Sequence, residues 1–114
     1  GYLRLTDVTL DATGRLVEGV RAIPGLDVLG EPEAQCVAIT ADDGSTVDVF
    51  AVMDALAARG WQLDRQGPPD SLHATVSAGT APAVDELVAD LRVAVEEVGA
   101  HRTDDRSTDY APLE

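Results

Sequence analysis

The sequence predicts an α+β two-layer sandwich: a small antiparallel sheet with helices packed on one face. Three observations carry this. Apolar spacing alternates between helical and strand periods in the order α-β-β-α-β-β-α. The links between successive strands are too short for a parallel crossover, so those strands must run antiparallel. The later helices are apolar along a single stripe, which suits one side of a sheet.

The first helix is predicted over residues 2–22. Arg4, Asp7, Asp11, Arg15, Glu18 and Arg21 share one side of it, and Asp11 and Arg15 form an i,i+4 pair. Its apolar residues (Leu3, Leu5, Val8, Leu10, Leu16, Val17, Val20) spread over roughly 200°, wider than the ~100° stripe that one sheet requires. This predicts a helix covered on two sides, one by the sheet and the other by something beyond this chain. Gly14 and Gly19 each cost a helix about 1 kcal/mol against alanine, so each calls for a packing reason.

Pro24-Gly25 ends that helix, residues 26–29 read as a short strand, and Gly30-Glu31-Pro32 as a turn. Residues 35–40 form a strand with an apolar centre, turned by Asp42-Asp43-Gly44. Ser45 and Asp48 have capping-box spacing for a second helix over 46–59, which buries Val49, Val52, Met53 and Leu56. Arg59 and Gly60 then supply a cationic last turn and a left-handed cap.

Trp61 and Leu63 alternate with Gln62 and Asp64, as in a strand, and Gly67-Pro68-Pro69-Asp70 forces a turn. Leu72, Ala74 and Val76 alternate with His73, Thr75 and Ser77 in a last strand. Thr80-Ala81-Pro82 opens the third helix, with Asp85 and Glu86 at its positive end. Its stripe is Val84, Leu87, Val88, Leu91, Val95 and Val98, and Gly99 caps it. From Ala100 the chain is polar and aperiodic, so 1–99 reads as the domain and 100–114 as a disordered tail. Leu113-Glu114 has the look of a cloning remnant.

A chain of 114 residues is one small domain or part of one. At 45% apolar residues it should fold, and it has no apolar run near the roughly 20 residues of a membrane span. A net charge of −13 without a basic patch argues against nucleic acid and anionic membranes as partners. Cys36 lies in an apolar run and reads as a buried small hydrophobe. One cysteine allows no disulfide within the chain, which fits a cytoplasmic protein, and a zinc site needs more Cys and His. The eight Lys+Arg positions are all arginine, so the chain holds no lysine.

Gly60-Trp61, Arg65-Gln66, the paired prolines, Leu72-His73 and the helical Asp90-Leu91-Arg92 occur in a telling order. So do Gly1-Tyr2 and the run from Gly19-Val20 through Ile23-Pro24-Gly25-Leu26 to Gly30. Together they resemble the C-terminal small domain of pyridoxal-phosphate lyases, of the sphingosine phosphate lyase and group II decarboxylase kind. The resemblance covers roughly residues 1–98. It implies a parent enzyme that cleaves a phosphorylated amino alcohol or decarboxylates an amino acid, and works as a homodimer. The cofactor of such an enzyme sits as a Schiff base on a lysine. With no lysine, this chain is expected to bind no cofactor, to hold no catalytic residue, and to depend on a large domain outside it. The competing expectation is a free-standing ferredoxin-like binding or interaction module, since fold alone does not set function.

Two residues are candidates for substrate contact. His73 sits on the polar phase of its strand, where the resemblance places a residue facing the active site, commonly arginine. A histidine there still offers hydrogen bonds to a phosphate or carboxylate. Arg65, before the proline turn, reads as a surface arginine or as a guanidinium for a substrate anion or a partner-domain carboxylate. Trp61 reads as a core anchor facing the helices. Asp42-Asp43 and Glu96-Glu97 read as turn chemistry and a solvated helix face.

Overall fold

A computed structural model describes residues 2–30, 36–104, 106 and 108, with side chains of the first helix described from Asp7 onward. Helix α1 spans Tyr2–Arg21, strand β1 Leu26–Val28, strand β2 Cys36–Ala41 and helix α2 Val49–Ala57. Strand β3 spans Asp64–Gln66, strand β4 Ser71–Thr75 and helix α3 Val84–Val98, entered through a 3-10 turn at Ala81–Ala83. The four strands form one sheet in the order β1-β2-β4-β3, antiparallel throughout. This is the α+β layout that the periodicity predicts. No helix among the described residues is long and apolar enough to cross a membrane.

The layers follow from strand alternation. Val37 and Ile39 of β2, and Leu72 and Ala74 of β4, are buried beneath the helices. Their neighbours Cys36, Ala38, Thr40 and His73 are only half-buried, and Thr75 is exposed. Phe50, Leu56, Leu16, Ile23 and Leu91 fill the space between helices and sheet. The other face of the sheet carries small and polar side chains.

Helix α1 buries Thr9, Ala12, Thr13, Leu16 and Val20. The Thr13 hydroxyl donates to the Thr9 carbonyl at 2.8 Å, so its burial leaves no orphan donor. Val8 and Leu10 point away from the core, 42% and 57% exposed. The two helical glycines differ. A Cβ on Gly19 would meet the Val88 methyls at 2.7 and 2.8 Å, so Gly19 lets α1 and α3 approach. A Cβ on Gly14 would meet nothing within 4 Å, so the described residues supply no packing reason there.

Several boundaries shift from the sequence reading, and those around α2, β3 and β4 have local reasons. Helix α2 starts at Val49, because Asp48 is its cap and accepts from Phe50 N–H at 3.1 Å. Ser45 instead accepts from Val47 N–H within the preceding loop. At the other end, Trp61 N–H reaches back to the Leu56 carbonyl and Gly60 N–H to that of Ala57. These are the paired bonds of a Schellman motif, with Gly60 left-handed at φ 93. Strand β3 therefore begins at Asp64 rather than Trp61, whose amide the cap uses. β4 ends at Thr75, short of Ser77, which turns into α3 through bonds with Thr80.

Residues 100–104, 106 and 108 hold no helix or strand. Among them, Thr103 N–H and the Arg106 guanidinium both donate to Asp48. Leu113-Glu114, Glu31-Pro32 and Gln35 lie outside the described residues.

Candidate functional site

β4 is a central strand, so any outward side chain on it is flanked by neighbours from both sides. His73 pairs with Ala38 on β2 and with Asp64 on β3. All three belong to one row on the helix-free face. His73 Nδ1 lies 3.8 Å from Cys36 Sγ, one row along on β2. Cys36 is thus half-buried on the outer face rather than in the core as expected. An anion brought to His73 would lie beside the Asp64 carboxylate, which weakens the case for His73 as an anion site.

Arg65 is on the other face. It pairs with Leu72, not His73, and its side chain runs along α2. There it donates to Asp54 and lies over the Phe50 ring, 5.4 Å from the centroid. The two candidates therefore do not form one site. The signal was present in the sequence: Arg65 continues the 61, 63, 65 phase of Trp61 and Leu63, the helix-facing one.

Trp61 is half-buried against the core, and its indole N–H donates to Asp90 on α3 at 2.7 Å. Its anchoring role holds, with a polar handle in addition. The Gly60-Trp61 and Asp90-Leu91-Arg92 pieces, 29 residues apart, thus meet through this bond.

A cluster the sequence reading missed surrounds Asp48, whose side chain is 1% exposed. It accepts from Phe50 N–H, Thr103 N–H and Arg106. Burial pushes its carboxyl up, but the Arg106 hydrogen bond and the two backbone donors outweigh that and hold it below the usual carboxylate range. Arg106 also pairs with Asp70 at the proline turn and lies 4.8 Å from the Phe50 ring centroid. Phe50 is thus in contact with two guanidiniums, each held by a carboxylate. Asp48 carried a capping signal, but nothing local announced Arg106.

Where β3 and β4 splay, a cleft of about 280 Å³ opens between residues 61–64 and 73–76. Among the described residues, no group of three or more His, Cys, Asp or Glu side chains could hold a metal ion. The chain's residues do not fit a covalently held pyridoxal phosphate, because no lysine is present to hold it.

No family model matches the chain. A sphingosine-1-phosphate lyase from Arabidopsis thaliana is 39% identical over 101 residues, 89% of this chain and 18% of that protein. One from Oryza sativa is 33% identical over 101 residues, with the same shares. Among solved structures, the sphingosine-1-phosphate lyase of Burkholderia pseudomallei matches with a TM-score of 0.76 at 34% identity, over 84% of this chain and 21% of that one. A C-DES mutant with glycine covalently linked to its PLP cofactor matches at 0.64 and 22% identity, over 78% and 23%, a likeness of fold alone. The chain spans about a fifth of the length of these relatives. By sequence and by fold, the chain is similar to a small α+β domain that makes up about a fifth of sphingosine-1-phosphate lyases.

Proposed function

We propose that this chain is the C-terminal small domain, residues 1–99, of a pyridoxal-phosphate-dependent carbon–carbon lyase. The observation that carries the reading is the 39% identity to a sphingosine-1-phosphate lyase across 89% of the chain. In this reading the cofactor and its lysine belong to a large domain, and the parent is a cytoplasmic homodimer acting on a phosphorylated amino alcohol. The small domain closes over the site and excludes water. Its helix-free sheet face, with His73 at the centre, would look toward the substrate and offer an imidazole hydrogen bond. Arg65, committed to Asp54 on the other face, would hold the domain together instead. The bare Val8 and Leu10 of α1 would be covered by the rest of the enzyme. A net charge of −13 leaves nucleic acid out of its partners.

The test is a chimera in which this chain replaces the matching residues of the Arabidopsis relative. A chimera that binds pyridoxal phosphate and releases aldehyde from a sphingoid-base phosphate supports the reading. One that folds and holds the cofactor, yet turns over neither that substrate nor an amino acid, refutes it.

A further inference from the structure

We propose that the cleft at the open end of the β3–β4 hairpin binds a small primary amine, with its apolar body inside and its ammonium at the mouth beside Asp64 and His73. The inference goes beyond the lyase reading and does not depend on it.

The cleft exists because β3 and β4 pair only from Asp64 opposite His73 to Gln66 opposite Ser71. Upstream of Asp64 the chain is pulled away toward α3 by the Schellman cap at Gly60 and the bond from Trp61 to Asp90. β4 meanwhile runs on to Thr75, held by β2 on its other edge. The wedge left between them is floored by Leu16 of α1, Leu63, Val76, and Val84 and Leu87 of α3. Leu16 is fully covered and the other four are 3–8% exposed, so core packing holds the floor in place and a guest meets it through Leu63, Val76, Val84 and Leu87. At about 280 Å³ the space lies just under the roughly 300 Å³ at which pockets for drug-sized ligands begin, which suits a compact body.

The mouth sets the charge of the guest. Asp64 is exposed there, and His73, its cross-strand neighbour, is half-buried. Among the described residues no arginine lines the cleft, and the chain carries a net charge of −13. A carboxylate or phosphate head would meet Asp64 without a counter-charge, whereas an ammonium meets an opposite charge and an imidazole acceptor. Trp61, on the wall, adds an aromatic surface.

The experiment titrates the 114-residue chain with n-hexylamine, n-hexanol and hexanoate at neutral pH and matched ionic strength. Trp61, the one tryptophan, reports binding by fluorescence, and amide NMR shifts at Leu63, Asp64 and His73 locate it. Hexylamine should bind saturably and about fivefold more tightly than hexanol, the gain expected of one exposed charge pair, with hexanoate weakest. Asp64→Asn should bring hexylamine to the level of hexanol. Ala83→Leu, which narrows the cleft, should weaken hexylamine and hexanol alike; if that variant fails to fold, Asp64→Asn decides. The proposal is overturned if no probe saturates, if hexanoate matches hexylamine, or if the amine preference survives Asp64→Asn.

Discussion

Replacing Asp48 with alanine should destabilise the domain by about 2–3 kcal/mol at neutral pH. The figure is built from three losses. Removing a helix N-cap costs about 1 kcal/mol, here the bond to Phe50 N–H. Losing the acceptor for Thr103 N–H costs about 0.5–1 kcal/mol. The Arg106 pair adds only about 0.5–1 kcal/mol, because that guanidinium is 37% exposed and can rehydrate. The Asp48 carboxyl is held below its ordinary 3.8 in the folded state. The charged part of its contribution is therefore fully present well above 3.8, and is lost progressively as pH falls through 3.8 and on through the folded value. Urea unfolding of the parent chain and Asp48→Ala, repeated from pH 7 down to about pH 2, measures this directly. The gap between the two should be constant down to about pH 5 and shrink below that. A loss under about 1 kcal/mol at pH 7, or a gap that does not narrow in acid, refutes the account of the Asp48 cluster.

Three further outcomes follow from the packing. Gly19→Ala should destabilise by about 1–2 kcal/mol, as its methyl would overlap Val88, whereas Gly14→Ala should stabilise by about 0.5–1 kcal/mol; thermal melts of the pair check both signs. Trp61→Phe should cost about 1 kcal/mol through the lost bond to Asp90 and Trp61→Ala about 3 kcal/mol, while His73→Ala stays within about 1 kcal/mol, all by chemical denaturation. Raising salt from low ionic strength to about 0.5 M should raise the melting temperature, because screening relieves the self-repulsion of a −13 chain.

The sequence by itself determined which segments are helix and which strand, because local periodicity records which side of each element is buried. It also determined the phase of β4, and with it the outward place of His73 between Leu72 and Ala74. The stop of α2 at Gly60 was legible because a left-handed cap is a property of one residue and its neighbours. The absence of lysine was a plain count with a chemical consequence. The tertiary structure alone decided that Asp48 is clamped by Arg106, 58 residues away, and that Trp61 finds Asp90 across 29. It alone separated Gly19, where a Cβ would press on Val88, from Gly14, where a Cβ would meet nothing within 4 Å among the described residues. It also set where β3 begins, and so opened the cleft beside His73. These depend on register and on how closely two elements approach, and such distances are fixed by packing the whole core, which no local window of sequence encodes.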